Sequence, residues 1–269
     1  MIQSHRITDI HHHAFPPEAP VHPWNIYTDK QVMEKQGITQ IILSCPLPVY
    51  KENVRQINLF LAKQTDIYPE NYRMLGALPY DDIGAAIEEV SYVLDELKAP
   101  GFGINTHIDD TYFSDDRLEP LFEELNRRHA LLFLHPQHKR ASGNKKLLFT
   151  GNDSVYEYTF DTTRAVLDYV LKEKTERWKD IRIILPHAGG TIPFLAHRIA
   201  ISGEWKAISH SEEQIYTALK CFYYDLTLNH CDRNYQFMKE FVGTDHLLFG
   251  TDYPNSGIRT PERDIKTLK

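Results

Sequence analysis

The segment ALLFLHP (residues 130–136) is a nearly continuous apolar run that ends in histidine and proline, and IRIILPH (residues 181–187) repeats the pattern. Runs of this kind are typical of strands covered on both faces, as in a parallel sheet. Six further runs share this character: ITDIHHH (7–13), ITQIILS (38–44), YRMLGALP (72–79), GFGINTH (101–107), FYYDLTL (222–228) and HLLFGTD (246–252). The chain is therefore predicted to contain eight largely parallel strands.

Segments with helical spacing of apolar residues separate these runs. The stretches Asp82–Leu97, Asp161–Leu171 and Ile192–Ile201 each carry an apolar stripe. Ser114 is predicted to cap a helix whose inner face carries Leu118, Leu121, Phe122 and Leu125. Strands alternating with helices predict an α/β fold, a (β/α)₈ TIM barrel, for which about 250 residues is typical. A doubly wound open sheet has the same alternation and stays open as an alternative.

Composition places the chain among ordinary globular proteins. Of its 269 residues, 42% are hydrophobic and 25% charged, which excludes a disordered chain. No linker divides it, so one domain over residues 1–269 is predicted. The net charge of −7 argues against a nucleic-acid partner, because phosphate binding needs clustered basic residues. The basic residues that do cluster are few: Lys139, Arg140, Lys145 and Lys146.

Cysteine usage and run length bear on location. The three cysteines have no CxxC spacing, which argues against a disulfide framework and fits a reducing compartment. No run approaches the roughly 20 apolar residues that span a bilayer, and the first residues lack an apolar signal core. A cytoplasmic protein without a membrane partner is expected. The segment Arg259–Lys269 is expected to form a truncated final helix, unless the sequence lacks its natural end.

Histidine or aspartate lies at or near the end of six of the eight apolar runs. In a parallel barrel the chemistry lies at these carboxyl ends. On a strand His11 and His13 face the same side, so their imidazoles can converge on one ion, whereas His12 points towards the helix layer. The other residues at strand ends are His107, His135, His187, Asp225 and Asp252.

Each of these residues also has a structural interpretation. A histidine such as His135 at the end of a buried strand is often a core or rim residue. His187 precedes two glycines that allow close backbone approach, and the following helix could present N–H groups to an anion; a plain turn is the alternative. Asp252 can cap a turn, or complete a metal site and move a proton. His107 is expected to line the pocket, and Asp225 to accept a structural hydrogen bond.

The combination of His11, His13, His135, His187 and Asp252 predicts more than any one of them, because the strands that carry them would converge on one mouth of a closed barrel. Three imidazoles and a carboxylate suit Zn²⁺ and also tolerate Mn²⁺ or Fe²⁺. An open coordination position would make the site catalytic. A divalent metal is therefore expected, Zn²⁺ first and Mn²⁺ as the alternative, with His138 supporting a ligand.

Four motifs occur in order over residues 7–257: DIHHHAFP (9–16), FLHP (133–136), LPHAGG (185–190) and FGTDYP (249–254). They resemble the motifs of amidohydrolase-related proteins, in the branch of aminocarboxymuconate-semialdehyde decarboxylase. The resemblance implies that His11, His13, His135 and Asp252 bind the metal and that Asp252 can shuttle a proton. It implies that His187 lies beside the metal as a catalytic or substrate-orienting group.

Members of this branch typically depend on Zn²⁺ or Mn²⁺, and many release CO₂ from aromatic or unsaturated acids without an organic cofactor. The segments GFGINT (101–106) and FDTTR (160–164) look most like 6-methylsalicylate and γ-resorcylate decarboxylases. His11 departs from the subgroup that carries glutamate at that position. A homodimer is implied by the resemblance alone.

The expected function is metal-dependent, non-oxidative decarboxylation of a small aromatic or unsaturated carboxylic acid, with Asp252 or His187 delivering a proton to carbon. One alternative is a metal-dependent hydrolase of amides, esters or lactones on the same site. A non-catalytic metal-binding barrel is another. A basic residue for the substrate carboxylate is expected, with Arg55, Arg164 and Arg198 candidates by residue type.

Overall fold

The computed structural model describes residues 7–19, 23–137, 153–206 and 208–256. Eight parallel strands, one for each apolar run, alternate with helices. In chain order they are β1 (Thr8–His13), β2 (Gln40–Ser44), β3 (Tyr72–Met74), β4 (Gly101–Asn105), β5 (Leu131–His135), β6 (Arg182–Leu185), β7 (Tyr223–Asp225) and β8 (Leu247–Leu248).

The helices lie outside the strands. They are α1 (Ile26–Lys35), α2 (Val54–Thr65), α3 (Ile83–Ser91), α4 (Glu119–Arg127), α5 (Glu157–Leu171), α6 (Lys174–Arg177), α7 (Ile192–Ala200), α8 (Glu212–Lys220) and α9 (Asp232–Val242). A π-helical turn, Tyr92–Glu96, extends α3, and a two-stranded antiparallel ribbon pairs His107–Ile108 with Thr111–Tyr112. Short 3₁₀ turns cover Asp116–Leu118, Asp153–Val155, His187–Gly189, Ile201–Trp205 and Thr244–His246. No helix in these ranges is both long and apolar enough to span a bilayer.

The strands form one closed ring in chain order. β1, β2 and β3 pair in parallel, as do β4 to β8 in succession. A bridge between Gly76 and Phe102 joins β3 to β4. β1 meets the segment after β8 through the N–H groups of Ile10 and His13, which donate to the carbonyls of Phe249 and Tyr253 at 3.1 and 2.8 Å. The TIM-barrel prediction is thus confirmed, and the open-sheet alternative is wrong.

A small apolar cluster lies within the ring. Ile10, Leu75, Phe133 and Ile184 contact one another although they come from strands on different sides of the barrel, so they meet in its interior. The Phe133 ring lies 4.9 Å from the ring of His11, centroid to centroid. Phe133 of this cluster therefore packs against the imidazole of His11.

β1 contains a bulge. Asp9 pairs with Ile41 and His12 with Leu43, so β1 advances by three residues where β2 advances by two. The extra residue shifts the alternation of side chains, as β-bulges do near functional sites. Asp9 and His12 therefore share one face, and the carboxylate of Asp9 contacts the His12 ring at 2.9 Å.

Helix starts agree with the sequence in one case and differ in another. Asp82 caps α3 by accepting from the N–H of Ala85 at 2.9 Å. Ser114 does not cap the next helix: Asp115 accepts the N–H of Arg117, and the Ser114 hydroxyl donates to Asp168 at 2.6 Å. The carboxylate one residue later is the better acceptor and takes the cap. The predicted inner face is buried: Leu118, Leu121, Phe122 and Leu125. The predicted helix Arg259–Lys269 lies outside the described residues.

Candidate metal centre

Four side chains from distant parts of the chain meet at the carboxyl ends of the strands. Among the described residues, His11, His13, His135 and Asp252 are buried and offer ligand atoms that all lie within 4.8 Å of one another. The His13 ring centroid lies 5.0 Å from that of His11 and 4.7 Å from that of His135. The closed ring brings these four predicted residues together, because β1, β5 and β8 all end at this mouth.

His11 is held from behind by Asp225, which ends β7. Its Nδ1 lies 2.9 Å from the Asp225 Oδ2, so Nδ1–H donates there and Nε2 faces the cluster. The other Asp225 oxygen accepts the backbone N–H groups of His187 and Thr227 at 3.0 and 2.9 Å. Asp225 is thus a hydrogen-bond acceptor, as predicted, and it orients two site residues at once.

The Nε2 atoms of His11 and His13 test whether the cluster suits a metal. Both are buried and make no hydrogen bond within the described part of the chain. The Nδ1 of His13 is 3.1 Å from the Ser44 hydroxyl, which leaves Nε2 directed at Asp252. A buried polar atom without a partner is costly, and a cation would satisfy both nitrogens. Three imidazoles with one carboxylate fit a divalent transition metal.

The Asp252 carboxylate lies between the imidazoles of His11 and His13 on one side and that of His187 on the other. Its Oδ1 lies 3.5 Å from the His11 Nε2 and 3.2 Å from the His13 Nε2, and its Oδ2 lies 3.8 Å from the His187 Nε2. Its backbone φ is 60°, in the left-handed region. Non-glycine residues in this region are uncommon and cluster at functional sites.

His187 has the same backbone property, with φ of 53°, and the positive φ values continue through Ala188, Gly189 and Gly190. At Gly190 a Cβ would lie 2.2 Å from the Thr159 carbonyl oxygen, so only glycine fits. The predicted close backbone approach is confirmed. The anion site predicted at the start of α7 lacks two donors, because Pro193 has no N–H and the N–H of Thr191 donates to Thr163; the site stays a prediction.

The pKa values of the clustered histidines are shifted in different directions. Burial lowers the pKa of His13 to about 4 and holds that of His135 well below its ordinary value, so both are neutral at pH 7 and able to bind a metal. Burial opposes charge on His11 as well, but Asp225 and Asp252 outweigh it and raise the pKa of His11. Burial would raise the pKa of Asp252, yet His13 and His187 keep it well below its usual range.

His12 faces the helix layer, as predicted. Its Nδ1 lies 2.9 Å from Asp9 and its Nε2 2.7 Å from Asp29. Asp29 also accepts from Trp24 Nε1 at 2.7 Å and from the Tyr72 hydroxyl at 2.5 Å. Burial disfavours its charge, but Asp29 and Asp9 raise the pKa of His12 to about 10. This network is structural, since both ring nitrogens are engaged.

Other candidates lie apart from the cluster. The Nδ1 of His107 bonds the Asp109 carbonyl at 2.9 Å and its Nε2 lies 3.8 Å from Asp161, so it is not among the clustered ligands. Arg55 pairs with Glu89 at 2.5 Å. Arg164 lies 3.8 Å from Asp161, and Arg198, on α7, lies over the ring of Trp205 in the following 3₁₀ turn. None of the three contacts the four-residue cluster in the described contacts. The predicted ligand support from His138 lies outside the described residues, and so does the basic cluster of Lys139, Arg140, Lys145 and Lys146.

Two residues around the site were missed from the sequence. Asp9 lies in a quoted motif, but strict alternation would place it on the face of His11, and only the bulge reveals its role. Gly250 has no room for a side chain: a Cβ would lie 2.5 Å from the Cβ of His11 and 2.3 Å from the Thr227 hydroxyl. The sequence signal for this close contact was the glycine directly before Thr251 and Asp252.

Comparisons with known proteins agree with this geometry. Residues 8–268 match the family model described as amidohydrolase. The chain is 30% identical to decarboxylase yanB of Aspergillus niger, over 97% of this chain and 80% of the relative. It is 29% identical to the 6-methylsalicylic acid decarboxylase acuB of Aspergillus aculeatus, over 92% of this chain and 84% of that protein.

The fold also matches a solved structure. A dihydroxybenzoic acid decarboxylase from Polaromonas sp. JS666, solved with bound manganese and 2-nitroresorcinol, superposes with a TM-score of 0.83 at 20% identity, covering 98% of this chain and 94% of that one. At this identity the likeness concerns the fold, and it is the same closed barrel. With the family model spanning nearly all of its length, the chain belongs to the amidohydrolase family.

Proposed function

We propose that this protein is a metal-dependent, non-oxidative decarboxylase of a small aromatic carboxylic acid. The observation that carries the proposal is the buried cluster of His11, His13, His135 and Asp252 at the barrel mouth. The relatives support the reaction, since the Aspergillus aculeatus protein is named for 6-methylsalicylic acid and the Polaromonas protein for dihydroxybenzoic acid. Because these relatives are named decarboxylases, the hydrolase and the non-catalytic barrel are not carried forward.

The four clustered residues are the proposed ligands of one divalent cation. The inward nitrogens of His11 and His13 lack hydrogen bonds within the described ranges, and the donor set suits Zn²⁺ or Mn²⁺. Zn²⁺ is the metal predicted from the sequence, and Mn²⁺ gains support from the manganese in the Polaromonas protein. When bound, the cation would supply Lewis-acid polarisation of the substrate's carboxylate and of an adjacent oxygen.

Proton delivery falls to Asp252 and His187. The Asp252 Oδ2 and the His187 Nε2 are 3.8 Å apart, so a proton can pass between them with a small movement. One of the two adds a proton to the ring carbon that bears the carboxylate, which interrupts the ring conjugation. The bond from that carbon to the carboxyl group then breaks, CO₂ leaves, and the electron pair returns to the ring.

The surrounding residues keep these groups in place. Asp225 holds the His11 ring and the His187 backbone together, and Ser44 holds His13. Buried partners of this kind fix the tautomer and orientation of a histidine ligand. The site is therefore organised before substrate arrives, which reduces the entropic cost of the reaction.

Four further predictions from the sequence concern the domain, the substrate, the oligomeric state and the location. A single domain over residues 1–269 is consistent with the family match to 8–268. A small-molecule carboxylate is the proposed partner. The homodimer and the cytoplasmic location stay predictions.

The test is CO₂ release from 6-methylsalicylate and 2,6-dihydroxybenzoate, by protein freed of metal and then given Mn²⁺ or Zn²⁺. We expect metal-dependent turnover that Asp252→Asn and His187→Asn abolish. His197→Ala serves as the control, because this side chain is 71% exposed on α7. Metal-dependent ester or lactone hydrolysis without CO₂ release would overturn the proposed reaction.

A further inference from the structure

The carboxylate of Asp9 joins the first strand of the barrel to the segment that follows the last one. Asp9 is fully buried. Its Oδ1 accepts the backbone N–H groups of Thr251 and His11 at 3.0 and 3.2 Å, and its Oδ2 accepts the Thr251 hydroxyl at 2.6 Å. The residue it holds by two hydrogen bonds immediately precedes Asp252 in the chain.

The backbone on either side of Asp252 is fixed by the same arrangement. The Thr251 hydroxyl also accepts the N–H of Tyr253 at 3.1 Å, and the N–H of Asp252 donates to the His11 carbonyl at 2.8 Å. Asp252 itself has the unfavourable φ of 60°. A residue keeps such a conformation only where its neighbours enforce it. The bonds to Asp9 are among those that do so.

We propose that Asp9 is a positioning residue for the metal centre. By holding Thr251 against β1, it directs the Asp252 carboxylate at the imidazoles of His11 and His13, so the ligand set is arranged before a cation binds. The bulge in β1 makes this contact possible, because it turns Asp9 away from the face of His11. The inference rests on the proposed metal site, whose ligands Asp9 does not join.

A simpler role for Asp9 would be to balance the charge of His12. Asp29 separates the two roles, because it also bonds the His12 ring and is equally buried. In the described structure its hydrogen bonds go to His12, Trp24 and Tyr72, and none goes to Thr251. Asp29→Asn is therefore a matched control for Asp9→Asn.

The experiment measures the Kd for Mn²⁺ and for Zn²⁺ by competition with a chromophoric chelator, together with thermal unfolding of the metal-free proteins. Both variants are expected to unfold at a lower temperature. Asp9→Asn should also raise the metal Kd about tenfold or more, as loss of a ligand-supporting residue does. Asp29→Asn should leave the Kd within error of the unsubstituted protein.

A second pair of variants acts on the other side of the contact and avoids changing a buried charge. Thr251→Val removes the hydroxyl shared by Asp9 and Tyr253, and it should raise the metal Kd. Thr251→Ser keeps that hydroxyl and should restore the affinity. This pair decides the question if Asp9→Asn does not fold.

The possible results separate this inference from the proposed function. Equal Kd values for Asp9→Asn and Asp29→Asn, or for Thr251→Val and Thr251→Ser, would overturn the positioning role and leave the metal site standing. An unsubstituted protein that binds neither cation would overturn both proposals.

Discussion

His12 and His13 are neighbours on β1, both fully buried, yet they serve opposite purposes. Both ring nitrogens of His12 contact carboxylates, which raise its pKa to about 10. His13 keeps Nε2 free of hydrogen bonds in the described structure, and burial lowers its pKa to about 4. The role of a buried histidine therefore depends on the partners of its ring nitrogens, and here the strand geometry determines those partners.

The largest effect is expected from removing the charged histidine. His12→Ala leaves the carboxylates of Asp9 and Asp29 buried without their cation, and should cost about 3–5 kcal/mol of unfolding free energy. Chemical denaturation of the metal-free protein measures this loss.

His13→Ala is the matched comparison in the same assay. The loss of unfolding free energy should be smaller, because the Ser44 hydroxyl, which loses its contact with His13, still donates to the His12 carbonyl at 3.3 Å. Equal losses for the two variants would show that the two histidines do not differ as described.

The second effect concerns metal rather than stability. His13→Ala and His135→Ala should each raise the metal Kd by more than about 100-fold, above the range for residues that only support ligands. His197→Ala, exposed on α7, should leave it unchanged. Metal titration after chelator treatment gives the values, and normal affinity in His135→Ala would remove that residue from the ligand set.

A smaller effect is expected where the last strand touches the first. Gly250→Ala places a Cβ 2.5 Å from that of His11, and should cost about 1–3 kcal/mol and weaken metal binding. Gly84→Ala is the control, since its nearest contact is 3.4 Å away at Asp82 and it lies within α3. That variant should gain up to about 1 kcal/mol. Thermal unfolding with and without metal distinguishes the two.

The smallest effect concerns the surface ion pair between Asp115 and Arg117, in contrast to the buried carboxylates at His12. The hydrogen bond from Arg117 lowers the pKa of Asp115 to about 2, below its ordinary value of 3.8. The charged form therefore stabilises the protein fully above the ordinary pKa of 3.8, and this contribution is lost as pH falls through about 2. Asp115→Asn should cost less than about 1 kcal/mol at neutral pH, because solvent screens the pair. Denaturation at about pH 6 and about pH 3 should show the cost shrinking in acid; a constant cost would contradict it.

The strand pattern predicts the barrel and the histidine and aspartate residues at its mouth for a physical reason, whereas the choice of four of them as metal ligands came from the family resemblance. A strand buried on both faces must be apolar along its length. A histidine or an aspartate at the end of such a strand, such as His135, therefore differs visibly from the residues before it. Closure of the ring then determines which ends meet. The face of His12 follows from simple alternation.

The features that escaped prediction depend on contacts between distant segments. Nothing in the letters DIHHH marks a bulge, because its position depends on pairing with Ile41 and Leu43. The role of Asp9 depends in turn on Thr251, 242 positions away. The cap at Asp115 was missed for a local reason, since two adjacent residues could each accept the same N–H and the carboxylate is the stronger acceptor.

The meeting of β1 with the segment after β8 has a consequence for how the protein matures. During synthesis the three imidazoles leave the ribosome long before Asp252 does, so a growing chain carries the nitrogen donors without the oxygen donor. A cation captured at that stage would be held only partially. At the proposed metal site, full coordination would therefore coincide with closure of the ring, and metal binding would require that the two ends of the fold have come together.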